Sequence, residues 1–360
     1  MGELRADPVT AALHVVLPGG IDDPAAPSGG NTYDRRVLTG LAATRDVHEI
    51  AVAAAWPYPA ERARSVLARA LAGLPPGATV LLDGLVAGAV PELLEPQSAR
   101  LRLVVLVHLP LGDETGLSPA EAAELTARER RTVRAAAAVV ATSEGAARRV
   151  ETLHDLPAGS VHVAAPGVDP APLAEPGPDG SRLLCVAAVT PRKAQDVLVE
   201  ALHSVADLPW SCTLVGALDR APAFVDRVRE LAAVTGGRVE LAGTRTGEAL
   251  ARSYREADLL VLPSLAETYG MVVTEALARG VPVLGTQVAG VPEALGTAPD
   301  GTLPGALVPP GDPAALAAAL RRWLTDPALR RGWRAAAAAR RSGLLGWDFT
   351  TRRLNEVLDR

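Results

Sequence analysis

Apolar residues along this chain fall into two alternating patterns. Short aliphatic runs bounded by turn residues read as strands buried on both faces. Between them, apolar residues recur at intervals of three and four, the spacing of an amphipathic helix. In the first half the strand candidates are Leu13–Leu17, Val47–Ala53, Thr79–Leu82, Leu101–Val107, Ala138–Ala141 and Val161–Ala164. Helical spacing covers Tyr33–Ala42, Ala60–Ala72, Pro119–Ala135 and Glu144–Leu153. The alternation restarts at Leu183–Val189 and continues through Ser211–Val215, Val239–Leu241, Asp258–Leu262, Pro282–Gly285 and Ala306–Val308. Strands alternating with helices predict parallel sheets covered on both faces, the doubly wound α/β class.

Between the halves lies Pro166–Gly180, with five prolines and three glycines. Such a run forms neither helix nor central strand, so it reads as a linker. The boundaries that follow are a first domain over 1–168, a linker over 169–181, a second domain over 182–345 and a closing segment over 346–360. The tail reads as helices over Pro313–Leu324, Pro327–Arg341 and Trp347–Leu358, and Ala335–Ala339 is simply a good helix former. Two doubly wound domains of similar size place a ligand cleft between them, at the carboxyl ends of the strands.

Composition narrows the choice. A chain of 360 residues is long enough for two domains, and its 3% aromatic content makes their cores aliphatic. A net charge of −5 gives no global electrostatic case for nucleic acid. Both cysteines, Cys185 and Cys212, fall inside strand candidates and read as reduced core residues of a cytoplasmic protein. Met1–Pro8 has no basic stretch followed by an apolar one, so no secretion signal is expected. No apolar run reaches the ~18 residues that span a bilayer. Lys193 is the one lysine among 36 basic residues, which sets it apart from an arginine-biased background.

The segment Leu260–Gly285 carries the densest chemistry. Ala257–Leu262 reads as a buried strand, Pro263 and Ser264 end it, and a helix begins near Tyr269, with Val272, Val273, Ala276 and Leu277 at helical spacing. Glu267 and Glu275, with seven residues between them, bracket that turn. Free backbone N–H groups and the positive helix end around Tyr269–Met271 suit a phosphate. Glu275 lies in the second turn, and helical side chains lean back toward the N-terminus. A carboxylate there can accept two hydroxyl hydrogen bonds, which suits a vicinal diol such as ribose. Glu267 could hold a second polyol beyond the phosphate. Diol, phosphate and polyol together describe a nucleotide sugar; two solvated acids at a helix cap are the plainer alternative.

Three other stretches add candidates. In Val189–Asp196, Pro191 suits a first helical turn and places Arg192 and Lys193 at a helix N-terminus. The dipole opposes cations there, so an anion between them and the helix end would account for the placement. Two solvated cations are the alternative. The glycine-rich Leu17–Thr32 joins the first strand to the first helix, which Asn31 or Thr32 can cap. It lacks G-x-G-x-x-G, so a dinucleotide reading is weak. His108 ends the strand Leu103–Val107 at the carboxyl edge facing the cleft, and Asp83 ends the strand beside it, an acceptor-site candidate. The remaining histidines show no metal-ligand spacing and no H-E-x-x-H occurs, so no metal is expected.

The Glu267–Glu275 stretch resembles the Glu-x7-Glu module of family-4 retaining glycosyltransferases, which have the GT-B fold. The resemblance covers most of the chain and is strongest over Leu183–Pro310. It implies that Glu267 contacts the donor sugar and Glu275 the ribose, with Thr268, Tyr269, Gly270, Met271 and Val272 around the donor. Lys193 matches the family's phosphate-binding lysine. The family's preceding Gly-Arg is replaced here by Ala187-Ala188, and Arg192 is the candidate substitute. Gly29 and Gly30 match a glycine loop where bare backbone nears the donor phosphate; a plain turn is the alternative. Asn31, Tyr33, Asp34 and Arg35 then border the acceptor side. His108 matches a family histidine near the reacting sugar. Gly290–Glu293 continues the pattern and is expected to shape the donor pocket, and Gly216 and Gly243–Arg245 are candidates for the base-side wall. The first domain becomes the acceptor side, the second the donor side, and Trp347–Arg360 crosses back onto the first.

The implied activity is retaining transfer of a sugar from a nucleoside diphosphate sugar, uridine favoured and guanosine next, to a hydroxyl of a small polar or metabolite acceptor. Attack is front-face, with His108, Lys193 and Glu267 as catalytic residues. The absence of Asp-x-Asp argues against a manganese-dependent GT-A transferase. No cofactor is expected beyond the nucleotide-sugar co-substrate. Three other readings stay open. One is a nonenzymatic nucleotide-sugar sensor, kept alive by Ala187-Ala188. Another is a glycolipid transferase whose basic helix segment Arg128–Arg134 makes peripheral membrane contact. The third is an NAD-dependent dehydrogenase on the same architecture. The acceptor and the oligomeric state are not legible.

Overall fold

The aliphatic runs form two parallel six-stranded sheets in the computed structural model, which describes residues 12–23 and 27–360. Met1–Pro8, where no secretion signal is read, and residues 24–26 of the glycine-rich loop lie outside the described residues. The first sheet contains β1 (Leu13–Pro18), β2 (Val47–Val52), β3 (Thr79–Asp83), β4 (Arg102–Val107), β5 (Ala138–Ala141) and β6 (Val161–Val163), in the order β2-β1-β3-β4-β5-β6. The second contains β7 (Arg182–Val186), β8 (Ser211–Val215), β9 (Val239–Gly243), β10 (Leu259–Leu262), β11 (Val283–Thr286) and β12 (Gly305–Val308), in the order β12-β11-β10-β7-β8-β9. Helices return the chain between parallel neighbours, which is why central strands such as β5 and β10 are buried throughout.

Strand order locates the crevices. In the first sheet β1 lies between β2 and β3; in the second, β7 lies between β8 and β10. The chain therefore leaves neighbouring strands toward opposite faces, at β1/β3 and at β7/β10. Such switch points open a crevice at the carboxyl edge.

Local structure departs from the sequence expectations at three places that matter. The first helix spans Gly29–Ala42, four residues longer than its apolar spacing implies. Ser28 is its cap, not Asn31 or Thr32: the Ser28 Oγ accepts from the Asn31 N–H at 3.0 Å. Pro191–Lys193 forms a single 3-10 turn, and Ala194, in the left-handed conformation at φ 52, separates it from the helix Gln195–His203. Arg192 and Lys193 thus precede that helix and do not sit in its first turn. The helix expected near Tyr269 begins at Met271, after Gly270 at φ 90, a conformation that strains any residue with a Cβ.

The linker segment runs along the second domain, with Ala174 and Glu175 N–H groups donating to the Arg279 and Arg255 carbonyls. The last helix, Trp347–Leu358, packs on the first domain. Its Leu354, Val357 and Leu358 share a core with Leu13, Val37, Leu41 and Val104, and Arg45 Nε donates to Asn355 Oδ1 at 2.6 Å. Cys185 and Cys212 are buried and unbridged. Among the described residues no helix is long and apolar enough to cross a membrane.

Candidate functional site

A cavity of about 330 Å³ lies where the carboxyl ends of the two sheets face each other, and both domains line it. The loops leaving β7 and β10 supply its charged wall and are stitched together by the Leu265 N–H, which donates to the Arg192 carbonyl at 2.8 Å. Lys193 Nζ donates to Glu267 Oε1, and Ser264 Oγ donates to the same oxygen at 2.8 Å. Glu267 is 7% exposed. Burial opposes its ionisation, yet the charge and hydrogen bond of Lys193 hold its pKa below the usual carboxylate value. Arg192 Nη1 donates to the Ala266 carbonyl at 3.3 Å, while its Nε lies 3.6 Å from Glu114 of the first domain.

Glu275 reaches the cavity from the helix Met271–Leu277. Tyr254 Oη donates to its Oε2 at 2.7 Å, and burial raises its pKa against that bond. Thr268, Tyr269, Gly270, Met271 and Val272 line the space between the two acids. First-turn amides of the helix, such as that of Val272, have no carbonyl partner within it. Gly216 and Arg245 also line the cavity. A Cβ at Gly216 would stand 1.9 Å from the Ala187 carbonyl oxygen, and Arg245 Nη1 donates to Ser253 Oγ at 2.9 Å. Gly243 ends β9 and is not among the lining residues.

From the first domain come Gly29, Gly30, Tyr33 and His108. A Cβ at Gly29 would meet Met271 Sδ at 3.5 Å, and one at Gly30 would meet the His108 ring at 3.4 Å. The two glycines are therefore where bare backbone nears both the opposite domain and the histidine. Tyr33 packs edge-on against His108, with ring centroids 5.1 Å apart, and its hydroxyl donates to the Ala164 carbonyl.

Asn31, Asp34 and Asp83 do not line the cavity. Asn31 spends its backbone N–H on the Ser28 cap. Asp34 and Asp83 are buried against His108: Asp34 Oδ1 is 2.7 Å and Asp83 Oδ2 3.6 Å from its Nε2. Asp83 also caps the short helix Gly84–Ala87 through the Leu85 N–H at 2.7 Å. Arg35 is held on the outside by Asp22 and Glu49. Burial would lower the His108 pKa, but the charge and hydrogen bond of Asp34, helped by Asp83, raise it to about 9. Burial and then the Asp34 charge raise Asp83 to about 7. The three side chains bring ligand-type atoms within 4.8 Å of one another.

Gly290–Glu293 does not itself line the cavity; it packs behind the lining loop Thr268–Gly270 and braces the two domains. Glu293 Oε2 accepts from the Glu144 N–H at 2.9 Å, at the start of the first-domain helix Glu144–His154. Beside it, Ser143 Oγ donates to the Thr268 carbonyl at 2.5 Å.

Sequence reasoning missed Tyr254, Ser264 and Arg220. A signal existed for Tyr254, since a tyrosine on the apolar face of an amphipathic helix must find a partner for its hydroxyl. Ser264 carried only its place beside a strand-ending proline. Arg220, which lines the cavity and reaches within 3.5 Å of the Pro27 carbonyl across the cleft, carried no local signal.

Residues 180–326 match a family model described as Glycosyl transferases group 1. Among curated proteins, the D-inositol 3-phosphate glycosyltransferase of Jonesia denitrificans is 31% identical over 269 residues, covering 68% of this chain and 62% of that protein. The protein of the same name from Kineococcus radiotolerans is 34% identical over 257 residues, covering 64% and 59%. This chain thus spans less than two thirds of the length of these relatives. Among solved structures, sucrose-phosphate synthase of Thermosynechococcus elongatus superposes over 97% of this chain and 98% of its own, with a TM-score of 0.76 at 22% identity. Anabaena Alr3699/HepE in complex with UDP and glucose superposes over 97% and 99%, with a TM-score of 0.71 at 17% identity. At these identities the likeness shows the fold alone: two Rossmann-like domains facing one cleft, the GT-B arrangement.

Proposed function

The chain resembles the family-4 glycosyltransferases of the GT-B fold, with a group 1 glycosyl transferase match over residues 180–326, and from that premise we propose that it is a retaining glycosyltransferase. Its donor is a nucleoside diphosphate sugar, UDP favoured over GDP, and its acceptor a hydroxyl of a small polar metabolite in the cytoplasm. The observation that carries this reading is the single cavity wall on which Lys193, Glu267 and Glu275 meet.

Lys193, with Arg192 beside it, stabilises the charge that develops on the departing diphosphate. Losing one such preorganised donor typically costs ~3 kcal/mol of transition-state stabilisation. Glu275, oriented by Tyr254, takes the ribose diol, and Glu267 the donor sugar. Four cations on the wall, Arg192, Lys193, Arg220 and Arg245, supply positive charge for a diphosphate and support a metal-independent reaction. The carboxylates lining the cavity are Glu267 and Glu275, both already engaged by neighbours. Neither is a free nucleophile, which supports front-face attack with the leaving phosphate taking the acceptor proton.

The UDP bound by HepE supports uridine. The relatives' names support a small polar acceptor. So does the basic helix Pro119–Ala135, where Arg128, Arg131 and Arg134 are paired with Glu124, Glu95 and Asp155, leaving little free charge for a lipid surface.

Calorimetric titration with UDP, GDP, ADP and NAD in EDTA tests the donor site, and turnover of a matching sugar-nucleotide panel tests transfer. Micromolar binding of one nucleoside diphosphate without metal is the expected result. NAD binding alone would replace this reading with a dehydrogenase. Donor binding with no turnover on any acceptor would make the protein a sensor. The configuration of the product, read by NMR, tests retention.

A further inference from the structure

His108 is the first-domain imidazole on the cavity wall, and its surroundings are lopsided. Its Nε2 faces Asp34 at 2.7 Å and Asp83 at 3.6 Å, both carboxylates being 5% exposed or less. Its Nδ1 takes no hydrogen bond from the described residues, and the side chain is 19% exposed on the cleft side. The other charged residues lining the cavity, Arg192, Lys193, Arg220, Arg245, Glu267 and Glu275, all stand on the second domain. Tyr33, packed on the ring, turns its hydroxyl away to Ala164. Asp34 Oδ2 is buried with no hydrogen-bond partner. A buried carboxylate bonded through one oxygen needs a counter-charge nearby. The imidazolium of His108 is the cation in contact with it.

We propose that Asp34 is the positioning residue of His108: by occupying Nε2 it keeps the ring as a charged imidazolium and presents Nδ1–H to the cleft as a hydrogen-bond donor, not as a proton acceptor. This role for the donor rests on the glycosyltransferase reading; the charge state of the ring does not. A histidine with pKa about 9 is protonated at neutral pH and cannot take a proton from an acceptor hydroxyl there. It can donate to a sugar hydroxyl or a developing negative charge, and a charged donor is the stronger one. The dyad therefore opposes general-base catalysis by His108. Asp83 is the farther neighbour of the ring; it caps Gly84–Ala87, and its carboxyl also interacts with that of Asp34.

The test is 15N NMR of the full chain labelled at histidine, with the His108 ring assigned by its loss in His108→Gln. Both ring nitrogens should carry protons at neutral pH, with titration near 9. Asp34→Asn should drop that titration toward the unperturbed value of about 6.5, while Asp83→Asn should move it less. A neutral ring in the wild type at neutral pH overturns the proposal, as does an unchanged titration in folded Asp34→Asn. If Asp34→Asn does not fold, the wild-type nitrogen shifts and the Asp83→Asn titration still decide. Ring signals that move with added zinc or manganese and return with EDTA overturn it in favour of a bound cation. Once a donor and acceptor are in hand, Asp34→Asn should keep turnover at mildly acidic pH and lose on the order of a hundredfold above neutrality. A purely structural role would lower it equally at every pH. Should no sugar donor turn over, the titration still reports on the dyad, so the two readings fail separately.

Discussion

Lys193 and Glu267 stand 74 positions apart in the chain, yet the ammonium of one donates to the carboxylate of the other across the crevice between β7 and β10. Their side chains are 18% and 8% exposed, so the pair is largely withdrawn from water. Both side chains line the cavity, and Lys193 is the leading charge acting on Glu267.

Lys193→Ala is expected to lower turnover about a hundredfold. It also leaves Glu267 buried without its cation, so stability should fall by about 1–3 kcal/mol. Steady-state kinetics with a thermal melt separates the two effects. A folded Lys193→Ala protein with near-normal turnover would remove Lys193 from the mechanism. The depressed Glu267 pKa contributes stability that is present above the usual carboxylate pKa and is lost as pH falls through the folded value. Glu267→Gln should accordingly flatten the acid limb of the stability curve.

Tyr254 and Glu275 form a second pair, bonded at 2.7 Å. Tyr254→Phe should weaken UDP binding by about fivefold, the weight of one hydrogen bond of ~1 kcal/mol. A ribose diol on Glu275 makes a sharper prediction: 2′-deoxy-UDP should bind the wild type more weakly than UDP, and Glu275→Ala should erase the difference. Calorimetry on both proteins with both ligands closes the cycle, and an undiminished preference in the mutant would move the diol elsewhere.

Stability should decline with rising pH across the neutral range. His108 is raised from 6.5 to about 9, so its contribution is complete below 6.5 and is lost as pH rises through 9. Asp83 is raised from 3.8 to about 7, so the folded state holds a proton that the unfolded chain has released, and stability falls as pH climbs through that interval. His108→Gln should remove the alkaline part of the slope, as read by melting temperature against pH. A wild-type melting temperature that stays flat up to pH 9 would contradict the sign.

The Gly290–Glu293 brace should matter for affinity more than for folding. A Cβ at Gly290 would lie 2.2 Å from the Thr268 carbonyl oxygen and 2.7 Å from the Tyr269 Cα. Gly290→Ala must push the cavity-lining loop aside, and UDP affinity should drop about tenfold or more, a cost of ~1.4 kcal/mol. Glu293→Ala removes only the acceptor for the Glu144 N–H and leaves the Ser143 cap of the helix Glu144–His154 in place, so its effect should be near ~1 kcal/mol. Equal affinities in wild type and Gly290→Ala would show that the loop adapts freely.

Deleting Trp347–Arg360 should destabilise the first domain, although the segment follows the second in the chain. Leu354, Val357 and Leu358 fill the first-domain core, and a Cβ at Gly40 would meet Thr351 Oγ1 at 2.2 Å. The deleted protein should expose apolar surface and lose protection in Leu13–Pro18 and Gly29–Ala42 by hydrogen exchange. Unchanged protection there would reduce the helix to a passive cover.

Much of this was legible because local pattern is a local property. Aliphatic runs declared most strands to within a residue or two, since burial on both faces demands uninterrupted apolar side chains. Errors arose where one residue's backbone, not a pattern, set the boundary. Ser28 extended the first helix backward by offering an oxygen to Asn31. Ala194, in a left-handed conformation that alanine seldom adopts, cuts Pro191–Lys193 off from the helix that Pro191 was expected to begin.

For the candidate site, sequence alone determined the residue types and their local frames: two acids around a helix start, a lone lysine after a strand, a histidine at a strand end. Tertiary structure decided what each one faces. Asp34 and Asp83, expected on the acceptor side, turn to the ring of His108 because β1, β3 and β4 lie side by side and bring the helix after β1 over their ends. Lys193 meets Glu267 because β7 and β10 are neighbours, though β8 and β9 intervene in the chain. Hydrophobic period is written within ten or fifteen residues of chain. Which strand ends become neighbours depends on how whole sheets assemble, and a charged side chain's partner, and so its pKa, is set by that assembly.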